Sequence, residues 1–265
     1  MFKKLIASAV ISLGLAVSGT ASAVIVNGVD FGNRTTHLET TTLAETFVNG
    51  VGQTLTGYGQ INTVNGNLSY AGANRLYFVL SYNVTEFNVN ALGVGNVAFD
   101  SGLVTLYLRS TFNTLDQSSA DNIALIQAGS VWATLGGHAS FPSGRELTAN
   151  GALTGASLSF NGQGLLDVTS GANGVFEFLN ANDIFDGLRG FADIAVTTSG
   201  ANLPAGLNTF DNTTGCNNGT ARPGQFCFSG SADLRGNTIP EPGVLGLVGL
   251  GLLGMGAALR KRKSA

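Results

Sequence analysis

The chain has 265 residues and a formal net charge of −3, and 11% of its residues are charged. Its four lysines, Lys3, Lys4, Lys261 and Lys263, lie near the two termini, so residues 24–259 hold seven arginines against sixteen acidic residues, a net charge of −9. An acidic body without lysine excludes the basic footprint that nucleic-acid binding needs, and it disfavours adhesion to anionic lipid headgroups.

Residues 1–23 have the pattern of a secretory signal peptide. A basic start precedes a short apolar stretch, and Ala21 and Ala23 form a small-x-small cleavage site. We expect signal peptidase to cut there, so that the mature chain begins at Val24. The alternative is an uncleaved N-terminal anchor, but both interpretations send the chain out of the cytoplasm.

Residues 24–205 predict a single all-β domain. They are rich in Gly, Asn, Thr and Ser, and turn-forming residues recur about every eight to twelve positions. Several stretches alternate apolar and polar residues, as half-buried strands do. The stretches are 76–85, 104–109, 157–160, 176–178 and 194–196. Because such a sheet buries one face, two sheets must pack together or one sheet must close. We expect a β-sandwich or jelly roll of short antiparallel strands, with a β-solenoid as the alternative.

Four of the Asn-Gly pairs, those between the predicted strands, predict tight hairpin turns, because both residues tolerate positive φ. The pairs are Asn65-Gly66, Asn150-Gly151, Asn161-Gly162 and Asn173-Gly174.

Helix signals are few. Residues 121–127 follow two serines that could cap a short helix, although a strand is equally compatible. Residues 182–188 indicate one helical turn or a loop.

Exposed aromatic side chains would suit stacking on sugar rings. Alternation in residues 130–135 places Trp132 on the more polar face of its strand, opposite Val131. A buried Trp132 is nevertheless the default, because tryptophan is highly buried on average. Tyr77 and Tyr107 leave the same two alternatives.

The histidines do not predict a catalytic or zinc site. His37 and His138 are the only two, and they are far apart in the sequence. A zinc site would need them to meet and to recruit a carboxylate or a thiolate. The chain also lacks Gly-x-Ser-x-Gly, the turn that presents a catalytic serine. We expect each histidine to be a surface or half-buried polar residue.

Carboxylate pairs and calcium loops are weak signals in this chain. Asp183 and Asp186 share one turn, and Asp167 and Glu177 lie on neighbouring predicted strands, but a glycosidase needs two carboxylates across a cleft. We expect no enzyme. Residues 180–187 offer oxygen ligands that suit calcium, without the spacing of an EF-hand loop. We expect their polar side chains to bond their own backbone, and calcium is the one cofactor left open.

Residues 206–238 are rich in glycine and predict a loop and a tether. They contain the only cysteines, Cys216 and Cys227. In an oxidising compartment this pair is expected to form a disulfide, worth about 2–3 kcal/mol in the chain-entropy model. A redox or metal pair is disfavoured, because there is no Cys-x-x-Cys and no histidine nearby.

Residues 239–263 combine three unlike features in a fixed order. The first is the motif Pro240-Glu241-Pro242, whose prolines set off the next segment as a separate element. Residues 243–259 are apolar and would span about 26 Å as a helix, near the lower limit for crossing a bilayer. A basic end expected to stay on the cytoplasmic side follows, Arg260, Lys261, Arg262 and Lys263.

This order resembles the PEP-CTERM sorting signal of Gram-negative bacteria. The resemblance implies that an exosortase-type membrane protease recognises Pro240-Glu241-Pro242, cuts near it, and releases or transfers the protein at the cell surface. The protein would be held in the inner membrane before processing. A plain C-terminal membrane anchor is the alternative, although an anchor has no need of this motif.

The body resembles flocculation-associated PEP-CTERM proteins in its length, its Gly/Asn/Thr-rich strands and residues 129–133. Together the resemblances imply an exported surface or extracellular-matrix protein with a structural or adhesive role in floc, biofilm or exopolysaccharide. The first alternative is a carbohydrate- or calcium-binding extracellular module, and the second is a secreted hydrolase.

Overall fold

A computed structural model describes residues 24–32, 35–140, 142–188, 190–202 and 214–238. The predicted signal peptide and the predicted membrane-spanning segment lie outside the described residues. Among the residues that are described, no helix is long and apolar enough to cross a bilayer.

The described residues fold mainly into β-strands. The strands are β1 (Ile25–Val26), β2 (Val29–Asp30), β3 (Thr35–Thr46), β4 (Thr54–Gln60), β5 (Thr63–Val64), β6 (Asn74–Val89), β7 (Val94–Ser110), β8 (Ser130–His138), β9 (Leu147–Ala152), β10 (Ser159–Gly171), β11 (Ile184–Phe185), β12 (Phe191–Ala192), β13 (Ile194–Asn202) and β14 (Phe226–Asn237). The helices are α1 (Ser119–Gln127) and α2 (Val175–Leu179), and Thr214–Asn217 form one 3-10 turn.

The main sheet closes on itself. Strands β13, β14, β3, β4, β6, β7, β8 and β10 are hydrogen-bonded in that order, and β10 pairs again with β13. The pairs are antiparallel throughout. One edge of β10 pairs with β9 along its first half and with β8 along its second half, so β8 and β9 share one position. We call this barrel-like assembly the closed sheet.

The predicted all-β class is confirmed, whereas the predicted sandwich or jelly roll is replaced by the closed sheet. Alternation of apolar and polar residues shows which side of each strand faces the core. It does not show whether the strands at the two ends of the sheet pair with each other. Among the described residues the closed sheet has no terminal strand, so it lacks the long unpaired edge that can act as a template for aggregation. Residues 206–238, predicted as a loop and a tether, contribute β14, which lies between β13 and β3.

The interior is filled by apolar side chains from every strand of the closed sheet. The ring centroid of Phe31 lies 6.1 Å from that of Trp132 and 4.9 Å from that of Phe178. Trp132 is 0% exposed, so its default burial is confirmed. The predicted alternation fails at a β-bulge in β8, where Trp132 is the extra residue. Its neighbours Ala133 and Val131 pair with the consecutive β7 residues Leu106 and Tyr107. Val131 faces solvent instead of Trp132.

Helix α1 packs on the outside of the closed sheet. Of the two alternatives left open for residues 121–127, the helix forms, and the Ser118 side chain caps it by accepting a hydrogen bond from the Asp121 N–H. Ile126 packs with Tyr58 and Tyr77 in a second apolar cluster. Tyr77, left open between exposure and burial, is therefore fully buried beneath the helix.

A predicted strand at residues 176–178 forms α2 instead. Asn173 and Gly174 both adopt positive φ, +44° and +85°, and this turn leads into a helix and not into a second strand. The predicted turn at Asn65-Gly66 is confirmed by φ values of +51° and +77°.

Two other Asn-Gly pairs are not turns. Asn150 pairs with Asn161 between β9 and β10, and the glycine that follows each lies within its strand. A Cβ on Gly151 would lie 2.0 Å from the Ser159 carbonyl oxygen, so glycine is needed there for the close approach of the two strands.

Candidate functional site

Most of the predicted processing residues lie outside the described residues. This applies to Ala21 and Ala23, to Pro240-Glu241-Pro242, and to the basic end, Arg260, Lys261, Arg262 and Lys263. Val24 is the first described residue, and its carbonyl oxygen accepts a hydrogen bond from the Phe31 N–H at 2.8 Å.

The predicted disulfide is confirmed. Cys216 and Cys227 are bonded, with a Cα–Cα distance of 5.3 Å, and both are buried. Cys216 lies in the 3-10 turn and Cys227 lies on β14. The disulfide therefore pins the polypeptide that precedes β14 to the start of that strand.

A groove of about 400 Å³ crosses four strands on the outer face of the closed sheet. We call it the polar groove, and its side chains that carry amide, hydroxyl or carboxyl groups and point outward are Asn150, Asn161, Gln163, Thr197, Ser199, Ser231 and Asp233. They form two rows of cross-strand neighbours, because Asn161 pairs with both Asn150 and Ser199 while Thr197 pairs with both Gln163 and Asp233.

The polar groove is lined, among the described residues, by many hydrogen-bonding groups and by a single charged side chain, Asp233. Amide and hydroxyl groups can donate and accept, which matches the hydroxyl groups of a neutral polysaccharide. Each such bond contributes about 0.5–1.5 kcal/mol net, and none of the lining residues is aromatic.

His138 is the centre of a charged clamp. Its Nδ1 atom lies 2.7 Å from Asp167 Oδ2, and its Nε2 atom lies 3.1 Å from Asp186 Oδ2. The Asp186 carboxylate also accepts hydrogen bonds from the Leu188 and Gly190 N–H groups, at 2.6 and 3.0 Å. We call these three side chains, His138, Asp167 and Asp186, the histidine clamp.

The histidine clamp favours a doubly protonated imidazole. Burial by itself lowers the pKa of His138, but the hydrogen bonds to Asp167 and Asp186 outweigh burial and raise the pKa above its ordinary value. Both ring nitrogen atoms face carboxylates, so in this arrangement neither is directed at a substrate. The geometry therefore fits a structural role, which is to hold the segment around Asp186 against β8 and β10.

The clamped segment carries two exposed aromatic side chains. Phe185 is 61% exposed and Phe191 is 50% exposed, and their ring centroids lie 5.6 Å apart. They lie on β11 and β12, on either side of Asp186. Neither ring was among the aromatic side chains predicted as candidates for exposure, Trp132, Tyr77 and Tyr107, because nothing in the local pattern marks a two-residue strand.

The two residues of each predicted carboxylate pair lie in different surroundings. Asp167 contacts His138, while Glu177 lies in α2 and not on a neighbouring strand. Asp183 accepts a hydrogen bond from the Asn237 side chain, whereas Asp186 belongs to the histidine clamp. In the loop considered for calcium, the Asp186 carboxylate accepts hydrogen bonds from backbone N–H groups of its own segment, as predicted for a polar loop.

An acidic residue that the sequence analysis did not single out lies inside the closed sheet. Glu45 is 4% exposed, and it lines two neighbouring cavities of about 40 Å³ each. Burial raises the pKa of Glu45 to about 8. Gly57, its cross-strand neighbour, makes room for it, because a Cβ there would lie 3.0 Å from Glu45 Cγ.

A second histidine cluster lies on the outer face beside the polar groove. His37, Glu39 and Asp233 bring three potential ligand atoms within 4.8 Å of one another. Asp233 also lines the polar groove, so the two features share a residue. The sequence separates Asp233 from His37 by most of the domain, and only the pairing of β14 with β3 brings them together.

The fold and these features define an all-β domain with a polar outer face and a clamped aromatic hairpin. The family model described as the PEP-CTERM protein-sorting motif matches residues 238–263. The chain therefore carries a PEP-CTERM sorting motif, which confirms the resemblance drawn from Pro240-Glu241-Pro242. No curated protein and no solved structure matches the chain.

The sorting motif has direct consequences for the route of the protein. It implies export, membrane-associated sorting before surface display, and processing by an exosortase. The motif begins at residue 238, immediately after β14 ends at Asn237. The folded domain therefore ends where the sorting motif begins.

Proposed function

We propose that the protein is a non-enzymatic component of the cell surface or extracellular matrix, which adheres to exopolysaccharide in floc or biofilm. The sorting motif supports delivery to the surface. The observation that carries the adhesive role is the polar groove, because its paired rows of amide and hydroxyl groups suit a neutral, hydroxyl-rich polymer.

The net charge of the body agrees with this partner. An acidic surface repels anionic polymers and nucleic acid, while it leaves neutral glycans unaffected. The exposed side chains of Asn161 and Gln163 lie on the outer face of β10 and can follow a chain lying across the strands. Weak contacts of this kind suit a matrix protein, because avidity along the polymer replaces affinity at each groove.

The test is co-sedimentation of the exported protein with exopolysaccharide from cells that make it. We expect replacement of Asn161 and Gln163 by alanine to weaken binding about tenfold or more, as the loss of two hydrogen bonds predicts. Ser170→Ala is the matched control, because Ser170 is also exposed on β10 but lies outside the polar groove. Equal binding by the double variant and the control would disprove the proposed role of the groove.

Deletion of the gene tests the biological role. We expect cells without the protein to form weaker flocs or thinner biofilm, and the double variant to restore them incompletely. Normal aggregation in the deletion strain would reject the adhesive role, whatever the binding assay shows.

A carbohydrate-binding module that stacks sugar rings is the second candidate. It is favoured by Phe185 and Phe191, whose exposed rings lie on a hairpin that the histidine clamp holds in place. Aromatic stacking is worth more than a single exposed hydrogen bond, so this function predicts tight binding of a short oligosaccharide. Loss of that binding in Phe185→Ala, with the polar groove intact, would favour it over matrix adhesion.

A further inference from the structure

Two outward-pointing residues of β3 meet one residue of β14 on the outer face of the closed sheet. Asp233 lies directly opposite Glu39 in the register of the two strands, and His37 is opposite Arg235. His37 Nε2 lies 3.3 Å from Glu39 Oε1 and 3.8 Å from Asp233 Oδ1. Three potential metal ligands of two different chemical types therefore face one point.

The imidazole nitrogen at this point lies close to two carboxylates without forming a regular hydrogen bond to either of them. His37 Nε2 is shielded from solvent and makes no hydrogen bond among the described residues. Both carboxylates approach this same nitrogen. The histidine clamp is different, because its carboxylates bind opposite nitrogen atoms of His138 and leave no shared point for an ion.

Neighbouring residues hold the remaining carboxylate oxygen atoms. The Thr63 hydroxyl group donates to Glu39 Oε2, which leaves Oε1 directed at His37. Arg235 Nη2 lies 3.9 Å from Asp233 Oδ2, which leaves Oδ1 directed at His37. Metal sites are built in this way, with outer groups that orient each ligand.

The spacing of the ligand atoms is close to that of a tetrahedral site. Zinc bonds of about 2.0–2.2 Å place neighbouring ligand atoms about 3.3–3.6 Å apart. The two distances from His37 Nε2, 3.3 and 3.8 Å, are near this value. The side chains are 27–39% exposed, so small rotations can bring the two carboxylates together.

A cation would also offset an unfavourable feature of the sheet. Like charges directly opposite each other on neighbouring strands are destabilising, and Glu39 faces Asp233 in this way. Arg235 is 65% exposed and reaches only one of the two carboxylates, so it offsets little of the repulsion.

We propose that His37, Glu39 and Asp233 bind one divalent transition-metal ion of the zinc class, with water in the open coordination position. The imidazole ligand favours zinc, cobalt or nickel over calcium and magnesium, which prefer oxygen ligands alone. The bound ion cross-links β3 to β14, the last strand before the sorting motif.

Zinc titration of the exported, chelator-treated protein tests the proposal by calorimetry. We expect one zinc ion per chain, a higher Tm with zinc, and calcium binding at least tenfold weaker. Replacing zinc by cobalt gives an absorption spectrum that reports the number and geometry of the ligands. Failure of the wild-type protein to bind zinc saturably, or calcium affinity equal to that for zinc, would overturn the assignment.

Single substitutions identify the ligands. His37→Gln and Asp233→Asn are each expected to weaken zinc binding at least tenfold. Asp233→Asn preserves the shape of the side chain, so it tests the site even if the His37→Gln protein fails to fold. Asp116→Asn is the matched control, because it removes one exposed carboxylate elsewhere. Unchanged zinc affinity in a folded His37→Gln or Asp233→Asn protein, or an equal loss in the control, would refute the site.

Discussion

Glu45 makes the stability of the domain depend on pH. Its pKa is about 8 in the folded protein, against an ordinary value of 4.5 in the unfolded chain, because burial penalises the carboxylate. The folded state therefore binds the proton more tightly than the unfolded state. Glu45 contributes stability that is fully present below pH 4.5 and is lost as the pH rises through about 8.

The magnitude follows from the size of the shift. The pKa of Glu45 increases by about 3.5, from 4.5 to about 8, on folding. At about 1.4 kcal/mol per pKa unit, this increase lowers the free energy of unfolding by about 5 kcal/mol between low and high pH. Between pH 5 and pH 7 the loss is about 2–3 kcal/mol. That is a large fraction of the stability of a typical domain.

Glu45→Gln removes the titration while nearly preserving the shape of the side chain. We expect the variant to match the wild-type protein near pH 5 and to be more stable by about 3 kcal/mol at pH 7. Urea unfolding of both proteins at several pH values from 5 to 8 measures the difference directly. His138 also loses its stabilising contribution as the pH rises, because its folded pKa is raised, but that contribution cancels when the two proteins are compared.

A constant difference between the two proteins from pH 5 to pH 8 would refute this reasoning. It would mean that the Glu45 carboxylate is hydrated or paired in the folded state. Gly57→Ala is a useful companion, because it crowds Glu45 without changing its charge and should destabilise the protein at every pH.

Three further predictions concern the disulfide, the clamp and the motif. Cys216→Ser should lower the free energy of unfolding by about 3 kcal/mol and leave a β-rich circular dichroism spectrum; loss of all folded signal would contradict it. Asp186→Asn should lower the pKa of His138 in an NMR titration and destabilise the protein by about 2 kcal/mol, and an unchanged pKa would argue against the clamp. Replacement of Pro240-Glu241-Pro242 by alanines should retain the protein in the inner membrane, which cell fractionation measures. Release of the variant at the wild-type level would show that processing does not need the motif.

The sequence was sufficient for the class of fold and for the local features with short-range causes. Alternating apolar residues identified the strands around Leu76 and Val104, and Ser118 indicated a possible helix cap without deciding between helix and strand. The pairing of Cys216 with Cys227 needed only the composition and an oxidising compartment. These features depend on neighbours in the chain, which a single sequence displays.

Features that depend on strand pairing could not be read in the same way. Closure of the sheet rests on the pairing of β10 with β13, and the bulge at Trp132 rests on its pairing with β7. Glu45 is an intermediate case, because Leu43 and Phe47 flank it at a spacing of two and mark the apolar face of β3. A carboxylate on that face was a readable signal, whereas the meeting of His37 with Asp233 was not.

The position of β14 would matter if the protein stayed attached to the cell by its C-terminal end. The drag of flowing water would then pull along this strand, which antiparallel neighbours flank on both sides. Tension along a strand shears its cross-strand bonds together instead of peeling them one by one, and the cystine at Cys227 blocks unravelling at the far end. Attachment through this strand would let the domain stay folded while the cell is pulled.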